Sequence, residues 1–362
     1  MKITIQRSAL LAAVSQVAKA VSAKDMIPVL QGILIESQNG SLNLTGSDNV
    51  FTIRTTLEDY VEAESGAAVI AAKKLLEVIK KLPNKEVSIT SDDVLAEIKC
   101  AGKTVTLPIM DSSEYPRKAL SLNNPVHIIP SVYRDMVDST KFAASTSEQT
   151  PVLMGINLQF ADGELTAVAT NRHRLAKRVI TLDTDLTGSY PVPSKILDEV
   201  AKTSPETMQI WLSADTIHIQ ADDYQYTSQL LSGAYPDVSR IVPTSAKVTV
   251  LVDRAELIQA LDLAGTVSEE KTKIVNLAFG EKSLKVSVRD NDTTMEEEIA
   301  AEVSGGEMLL SANSKYLLEA VKAIAADKVE FWLTGPMAPI VMRGQGNDSG
   351  THLVLPYRTT GA

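Results

Sequence analysis

Several short motifs contain residue types that perform chemistry in enzymes, but each stands in the wrong context. Gly102-Lys103-Thr104 resembles the end of a phosphate-binding P-loop, yet position 97 is Glu instead of Gly, and a strand-like segment follows where a helix is required. Ser47-Asp48-Asn49 and Ser268-x-x-Lys271 imitate two penicillin-binding signatures, but they occur in reversed order and far apart. We interpret these motifs as coincidences.

The histidines and the single cysteine also predict no reactive centre. His127, His173, His218 and His352 show no metal-ligand spacing, and Cys100 has no second cysteine with which to form a disulfide. His173 stands between two arginines and could act as a general base, but no carboxylate lies at a recognisable spacing from it. A structural or binding role is favoured, and the sequence predicts no catalytic residue, no metal and no cofactor.

Length and charge restrict the remaining classes of function. The chain has 362 residues, of which 44% are hydrophobic, so it is long enough for two or three domains. Its net charge of −10 is unusual for a nucleic-acid-binding protein, so an anionic partner would need a local basic surface. Aromatic residues make up only 4% of the chain, too few for a row of base-stacking platforms.

Hydropathy predicts a cytoplasmic protein without a membrane segment. No apolar run approaches the roughly 20 residues that span a bilayer. The N-terminal apolar stretch resembles an export signal, but Ser15, Gln16 and Lys19 interrupt it. A single cysteine also fits a reducing compartment.

The chain repeats itself three times. An alternating strand followed by a helix start begins near Ile3, Val126 and Val248. The expected helix N-caps, which lie 123 and 122 residues apart, are Ser8, Ser131 and Asp253. Asp253 and Glu256 also resemble a capping box. A second helical pattern begins about seventy residues into each copy, so each repeat contains two helices.

Between these helices the chain reads as short alternating strands joined by polar turns, such as Asn39-Gly40 and Asp162-Gly163. The sequence therefore predicts an α+β fold of three homologous domains, each with two helices and about eight antiparallel strands. The predicted domains are 1–119, 124–244 and 246–362. Repeats of this kind leave sheet edges unpaired, and head-to-tail pairing of such edges produces either a closed ring or a filament.

The six predicted helices are more basic than the rest of the chain. They cover 7–22, 69–82, 131–142, 194–204, 253–264 and 314–326. They contain 13 bases and 9 acids, a net +4, whereas the remainder carries −14. Solvated helix faces are one interpretation. Because the excess spans all three repeats, a shared cationic surface that attracts phosphates without reading bases is the other.

Six segments match a known family. They are Met1-Lys2-Ile3-Thr4-Ile5, Ile27-Pro28-Val29-Leu30, Phe51-Thr52-Ile53-Arg54-Thr55-Thr56, Ala169-Thr170-Asn171-Arg172-His173-Arg174-Leu175-Ala176, Tyr235-Pro236-Asp237-Val238-Ser239-Arg240-Ile241-Val242-Pro243 and Leu353-Val354-Leu355-Pro356-Tyr357-Arg358. Through them the sequence resembles the bacterial DNA polymerase sliding clamp family, the β subunit of the replicative polymerase, over essentially its whole length. The resemblance implies a head-to-tail homodimeric ring with helices lining the hole and sheets outside.

The same resemblance implies a processivity factor that catalyses no reaction. The ring would encircle double-stranded DNA, slide on it through weak, sequence-independent phosphate contacts, and tether other proteins. The implied partners are the replicative DNA polymerase, the clamp loader and other proteins with a clamp-binding motif. The residues expected to contact DNA are Lys24, Arg7, Lys73, Lys74, Lys80, Lys81, Arg134, Lys141, Lys195, Lys202 and Lys315. The expected dimer seam includes Val105, Leu107 and Val267.

The family also accepts a short hydrophobic peptide in a pocket between the second and third domains. By motif match, the pocket residues here are Leu153, Thr170, His173, Arg174, Leu175, Pro236, Arg240, Ile241, Pro339, Leu353 and Leu355. The chain departs from the family's usual Thr-Asp-Gly-His-Arg-Leu at Arg172, which replaces the glycine and loses its freedom for positive φ. Three alternatives remain open: a divergent clamp paralogue with altered partner preference, a monomeric β-rich scaffold, and a metabolic enzyme.

Overall fold

The computed structural model describes residues 1–22, 25–117, 124–268, 273–290 and 292–358, and it contains three homologous α+β repeats. Each repeat has two α-helices, as predicted. The helices are α1 (Arg7–Val17), α2 (Ala72–Lys81), α3 (Pro130–Thr140), α4 (Ser194–Ala201), α5 (Arg254–Val267) and α6 (Ser314–Ala323). Within the described residues, no helix is long and apolar enough to cross a membrane.

The strands of the first repeat are β1 (Lys2–Gln6), β2 (Gly32–Gln38), β3 (Ser41–Ser47), β4 (Phe51–Leu57), β5 (Tyr60–Glu64), β6 (Gly66–Ala71), β7 (Glu86–Ser91), β8 (Leu95–Cys100) and β9 (Lys103–Met110). Those of the second are β10 (Val126–His127), β11 (Gly155–Ala161), β12 (Glu164–Thr170), β13 (Arg174–Thr181), β14 (Gly188–Pro193), β15 (Met208–Leu212), β16 (Thr216–Ala221) and β17 (Tyr224–Gln229). Those of the third are β18 (Val248–Asp253), β19 (Ile274–Phe279), β20 (Ser283–Asp290), β21 (Thr293–Ser304), β22 (Met308–Asn313), β23 (Lys328–Leu333), β24 (Ile340–Gly344) and β25 (Asn347–Val354). The prediction of about eight strands per repeat is confirmed.

Two predicted hairpins form through turns that demand special residues. Asn39 and Gly40 join β2 to β3 with φ values of 54° and 77°, and Asp162 and Gly163 join β11 to β12 with 52° and 73°. Two successive residues with positive φ define a type I′ turn, which matches the twist of a hairpin and favours Asn-Gly and Asp-Gly.

One of the three predicted N-caps is confirmed. The Asp253 carboxylate accepts a hydrogen bond of 3.0 Å from the backbone N–H of Glu256, at the start of α5. Ser8 and Ser131 are not N-caps: α1 already begins at Arg7, and α3 begins at Pro130. Proline suits the first helical position because its φ is fixed and the N–H it lacks would have no helical partner, so α3 begins one residue earlier than predicted.

The described chain forms two compact units, and each contains one extended antiparallel sheet. The first unit comprises 1–130 and 203–230, and its thirteen strands follow the order β10-β15-β16-β17-β4-β3-β2-β6-β9-β8-β7-β1-β5. The second comprises 131–202 and 231–362, and its twelve strands follow the order β14-β11-β12-β13-β25-β24-β23-β18-β21-β20-β19-β22.

Each sheet continues from one repeat into the next through a strand edge. In the first unit β17 of the second repeat pairs with β4 of the first, and in the second unit β25 of the third repeat pairs with β13 of the second. Because of these ladders, the strands of the second repeat are shared between the two units.

Apolar helix faces pack into the core of each unit. Leu10, Val14 and Val17 of α1 are fully buried in the first unit. In the second unit Leu257 and Leu261 of α5 join the core cluster that contains Phe279 and Phe331 of the sheet. Burial of one face of α2 leaves Lys73 and Lys74 exposed on the other.

Candidate functional site

An apolar row crosses five neighbouring strands of the second unit. The strand registers place Thr170, Leu175, Leu353, Val341 and Trp332 side by side on β12, β13, β25, β24 and β23. Residues opposite one another in antiparallel ladders project from the same face of a sheet, so the five side chains form one stripe. We call this stripe the apolar row; it contains three of the residues predicted for the peptide pocket.

A short segment of the chain covers this row. Val238 belongs to the same hydrophobic cluster as Leu175 and Leu353, and Tyr235 and Leu355 pack against that cluster. Leu175 and Leu353 are each only 2% exposed. The floor of the predicted pocket is therefore closed, and an approaching ligand first meets the residues around it.

The remaining predicted pocket residues differ in accessibility. His173, Pro236 and Arg240 are exposed, and Ile241 is 42% exposed. Pro236, Arg240 and Ile241 flank the covering Val238 in sequence. The backbone carbonyl of His173 accepts a hydrogen bond of 2.9 Å from the N–H of Leu355, which ties the turn before β13 to the end of β25.

Two further predicted pocket residues lie at other positions. Pro339 is half-buried and directly precedes β24. Leu153 is buried in the short 3-10 helix Pro151–Met154, outside the cluster that surrounds Val238.

Arg174 has a structural role that the sequence did not reveal. Its guanidinium forms an ion pair with Glu319 of α6 and donates a hydrogen bond to the carbonyl of Phe142. The guanidinium carbon also lies 4.5 Å from the centre of the Tyr316 ring. Because neighbouring residues of a strand point to opposite faces, Arg174 and Leu175 project in opposite directions. Its contacts here are with Glu319, Phe142 and Tyr316, and its place in the peptide pocket stays a prediction.

Arg172 occupies a turn that favours glycine. Its φ is 74°, in the left-handed region, as expected for the glycine that it replaces in the family motif. Asn171 stabilises the turn, because its side-chain oxygen accepts hydrogen bonds of 3.0 Å from the N–H groups of His173 and Arg174. The hydroxyl of Thr170 accepts from the N–H of Arg172 at 3.2 Å. The Arg172 side chain is exposed.

Three arginines stabilise the ends of helices. Arg7 donates to the carbonyls of Ile79 and Lys80 at the end of α2, at 3.0 and 2.9 Å. Arg254 donates in the same way at the end of α6, and Arg134 donates to a carbonyl at the end of α4 at 3.2 Å. These carbonyls lack a partner within their helix, so the cations satisfy them and complement the helix dipole. Arg7 and Arg134, predicted to contact DNA, thus have a structural function in their repeats.

The lysines of α2 form the densest exposed basic group among the predicted DNA contacts. Lys73, Lys74, Lys80 and Lys81 are all exposed on this ten-residue helix. The nearest carboxylate to Lys74 is that of Glu77, at 3.8 Å, and both side chains are largely in solvent. Such a helix presents positive charge that is available to phosphates.

The second repeat uses its basic residues differently. The ammonium of Lys141 lies 2.6 Å from the Asp198 carboxylate and 2.7 Å from that of Asp138. Lys202 lies 2.7 Å from Asp198. Burial acts against ionisation of Asp198, but the hydrogen bonds from both lysines outweigh it, so its pKa is lowered. Lys195 is exposed on α4. Lys141 directly follows α3 and Lys202 directly follows α4, so positive charge at the ends of these two helices is partly neutralised.

The other predicted contacts are spread over different parts of the chain. Lys315 is exposed at the start of α6, and Lys24 lies outside the described residues. Val105 and Leu107, which were predicted for the dimer seam, are half-buried on β9, where the sheet has an open edge. Val267, the third predicted seam residue, is the last residue of α5.

Among the described residues, no group of three or more His, Cys, Asp or Glu is arranged to hold a metal ion.

Sequence reasoning missed part of the apolar row. Val341 and Trp332 belong to it but carry no motif, because their place beside Leu353 is set by strand register in the third repeat. Val238 lies within a segment that the sequence singled out, yet its role as a cover depends on tertiary packing. The signal that could have found all three is the repeat itself, which fixes which strands are neighbours.

Comparison with known proteins shows matches over almost the whole chain. Three family models match in order: the N-terminal domain of the DNA polymerase III beta subunit at residues 1–120, its central domain at 127–237 and its C-terminal domain at 239–358. The beta sliding clamp of Staphylococcus aureus strain Mu50 is 32% identical over 375 residues, which covers 99% of this chain and 100% of the relative.

Solved structures give the same result for the fold. The DNA polymerase sliding clamp of Bacillus subtilis superposes with a TM-score of 0.95 at 30% identity and covers 99% of each chain. A sliding clamp of Pseudomonas aeruginosa bound to griselimycin superposes with a TM-score of 0.93 at 28% identity, covering 99% of this chain and 100% of that one. The resemblance drawn from the sequence motifs is confirmed.

Proposed function

Because the chain belongs to the DNA polymerase III β subunit family, the bacterial sliding clamps, we propose that it is a DNA polymerase processivity factor that works as a head-to-tail homodimeric ring. The ring encircles duplex DNA and holds the replicative polymerase and other partners near their template. It acts by topology and catalyses no reaction. We place it in the cytoplasm, where a clamp loader closes it around DNA.

The observation that carries the ring is a pair of equivalent strand junctions. β17 pairs with β4, and β25 pairs with β13, so the last strand of one repeat twice meets the same strand of the preceding repeat. In the first repeat the strand equivalent to β17 and β25 is β9, and in the third repeat the strand equivalent to β4 and β13 is β21. Among the described residues, β9 has a single strand neighbour along 103–108, and β21 has one along 293–300. A second copy can supply the missing neighbour to both edges, and this heterologous contact closes on itself in a ring.

The repeat also predicts the register of this seam. Tyr226 lies opposite Ile53, and His352 lies opposite Ala176, at equivalent places in the two existing junctions. In the first repeat Val105 is equivalent to Tyr226 and His352, and in the third repeat Met295 is equivalent to Ile53 and Ala176. The same register therefore predicts Val105 opposite Met295 of the second copy. Two residues further on, Lys103 then faces Glu297 of the second copy, and this complementary charge favours the register. Val105 and Leu107, the predicted seam residues, contribute their side chains to it.

Sedimentation tests the ring. The wild-type chain is expected to sediment at twice its 39.0 kDa mass, and Val105→Asp at the monomer mass, because the substitution places a charge in a desolvated seam. Val94→Asp is the control, since Val94 is 65% exposed before β8. A wild-type chain that stays near 39.0 kDa would favour the monomeric scaffold instead.

The basic helices support sequence-independent contact with DNA. The lysines of α2 offer charges without a rigid pattern of donors, and such contacts position a protein on phosphates without reading bases. Weak contacts suit a ring that must slide. Binding to DNA weakens with salt, and the slope of log K against log salt concentration falls by about one for each phosphate contact that is lost. The double variant Lys80→Gln/Lys81→Gln is therefore expected to bind a short duplex more weakly and with a smaller slope, whereas Lys282→Gln/Lys285→Gln, which removes the same charge from strand β20 and the turn before it, changes neither.

The apolar row is the proposed peptide site. A hydrophobic peptide gains most by inserting apolar anchors among Leu175, Leu353 and the partly exposed Ile241, while Arg240 meets its polar groups. Val238 packs in the same cluster as Leu175 and Leu353, so a bound peptide would also contact Val238. The Pseudomonas relative bound to griselimycin supports the view that a clamp of this family can accept a ligand.

Fluorescence anisotropy with a labelled polymerase-type clamp-binding peptide tests this site. Saturable binding to the wild-type chain is expected, and it is lost in Leu175→Asp because a carboxylate then replaces an apolar anchor point. Leu309→Asp is the matched control, since Leu309 is 48% exposed on β22 and outside the row. Equal loss in both variants would show that the effect is not local to the row.

A further inference from the structure

The first unit contains a second row at positions equivalent to the apolar row. The strand registers place Ser47, Thr52, Thr227, His218 and Trp211 side by side on β3, β4, β17, β16 and β15. These strands are the repeat equivalents of β12, β13, β25, β24 and β23. Both rows begin with a hydroxyl residue and end with a tryptophan. We call the row of the first unit the polar row.

The central three positions differ in chemistry between the two rows. Leu175, Leu353 and Val341 of the apolar row correspond to Thr52, Thr227 and His218 of the polar row. The Nδ1 of His218 lies 2.8 Å from the Thr227 hydroxyl. Burial lowers the pKa of His218 to about 4, so the ring is neutral at neutral pH. The floor of the polar row is therefore a set of uncharged hydrogen-bonding groups.

A cavity of about 390 Å³ lies over the polar row, entirely within the first unit. Thr52 and Thr227 line it from the row, and Arg54 and Gln225 line it from the neighbouring row. Asn43, which lies opposite Thr56, lines it from one row further along the sheet. Tyr115 also lines it and donates to the carbonyl of Thr45 at 3.2 Å. The Tyr115-Pro116 pair is the repeat equivalent of Tyr235-Pro236 beside the apolar row. The same architecture thus surrounds an open, polar cavity here.

The walls carry two guanidinium groups with different partners. Arg117 forms an ion pair with Glu36 at 2.8 Å, and the Glu36 carboxylate, which also lines the cavity, neutralises it. The Nε of Arg54 donates to Asn43 Oδ1 at 3.3 Å, and no carboxylate in the described part of the chain lies within ion-pair distance of Arg54. The other N–H groups of Arg54 remain to bind an anion, and a guanidinium matches a carboxylate with two parallel hydrogen bonds.

We propose that this cavity binds a short acidic peptide segment, whose carboxylate pairs with Arg54 and whose backbone amides meet Asn43, Gln225 and the threonines of the polar row. The cavity has the size of a small-ligand site, and its polar lining disfavours the apolar anchors that suit the other row. The choice of a peptide rests on the proposed function of the apolar row as a peptide site. The acidic character rests on Arg54 and on the polar lining alone.

Anisotropy with two fluorescein-labelled probes tests the proposal on the full chain. Tetraglutamate is expected to bind saturably, and tetraglutamine, which has the same shape without the charge, is expected to bind at least about tenfold more weakly. Arg54→Gln is expected to weaken tetraglutamate binding by about tenfold. The charge-matched control is Arg289→Gln, an exposed arginine on β20.

A second variant removes the cavity chemistry without changing charge. Thr52→Leu introduces the residue found at the equivalent place, Leu175, and is expected to reduce tetraglutamate binding while the chain stays folded by circular dichroism. Leu175→Asp is expected to leave tetraglutamate binding unchanged, so failure of the apolar site and failure of this one are distinguishable. The proposal is overturned if tetraglutamate does not bind, if tetraglutamine binds equally well, or if Arg289→Gln weakens binding as much as Arg54→Gln.

Discussion

Arg174 and Glu319 form an ion pair that joins β13 of the second repeat to α6 of the third. The side chain of Arg174 is 9% exposed and that of Glu319 is 32% exposed. The guanidinium also donates to the carbonyl of Phe142 and lies over the ring of Tyr316. A charge taken out of water needs such partners, because its lost hydration is not otherwise replaced. The pair therefore anchors the strand that carries Leu175 on its other face.

The substitution Glu319→Gln is expected to lower the free energy of unfolding by about 2 kcal/mol, because it leaves a buried guanidinium without its counter-charge. Glu302→Gln is the matched control, since Glu302 pairs with Lys328 at 2.8 Å but both side chains are exposed. That substitution is expected to cost less than about 1 kcal/mol. Urea denaturation measures both, and equal losses would contradict a special role for the buried pair.

Arg172→Gly is expected to stabilise the chain by about 0.5–1 kcal/mol. The left-handed conformation at φ 74° costs a non-glycine residue roughly 1–2 kcal/mol, and the greater freedom of glycine in the unfolded chain offsets part of that gain. Arg172→Ala retains the strain and removes the cation, so it is expected to leave stability nearly unchanged.

The same two variants decide whether Arg172 alters peptide preference. If its cation sets the preference, Arg172→Gly and Arg172→Ala shift the affinity for a clamp-binding peptide equally. If the conformation of the turn sets the preference, only Arg172→Gly shifts the affinity for the peptide. Unchanged affinity in both would argue against a divergent peptide preference caused by this residue.

Arg254→Lys is expected to lower the free energy of unfolding by about 1 kcal/mol, although the net charge is unchanged. Arg254 donates through Nε to Val321 at 3.1 Å and through Nη2 to Lys322 at 2.9 Å, and an ammonium cannot span both carbonyls with the same planar geometry. Arg289→Lys is the control on an exposed strand position. Thermal unfolding of the two variants measures the difference, and an equal change in both would remove the argument for a specific cap.

The sequence predicted the fold well because each repeat contains local signals for its turns, strands and helices. The turn residues Asn39-Gly40 and Asp162-Gly163, the strand alternation and the helical spacing each act over a few residues, and three copies confirm one another. The N-caps predicted at Ser8 and Ser131 were wrong because both residues already lie inside their helices, which begin at Arg7 and Pro130. Asp253 was right because its side chain meets a neighbour only three residues away.

The functional residues were less predictable because their roles depend on tertiary contacts. Charge counting identified Arg7 and Arg134 as basic helix residues, but their guanidinium groups reach the ends of neighbouring helices over 72 and 67 residues of sequence. Likewise Lys141 reaches Asp198 across 57 residues. The number of positive charges on the helices follows from sequence, whereas the number left available to phosphates does not.

Acid is expected to destabilise each unit through one buried histidine. His218 of the first unit is 3% exposed and His352 of the second is 2% exposed, and burial lowers the pKa of each to about 4, with the charge of Arg178 adding to the effect at His352. An unfolded histidine has a pKa near 6.5. The neutral ring is favoured in the folded state, so this stability is present above pH 6.5 and is lost as the pH falls toward 4.

Between pH 7 and pH 5 the loss is about 2 kcal/mol per histidine, from the difference between the two pKa values. Urea denaturation at several pH values measures it, and His218→Gln and His352→Gln are each expected to flatten the profile of their own unit. His127→Gln is the control, because His127 is exposed. The carboxylates with lowered pKa values, such as Asp198, lose their contribution only at more acidic pH, so they do not account for a change in this window. A profile that is flat between pH 7 and pH 5 in the wild-type chain would show that the buried rings are not kept neutral by folding.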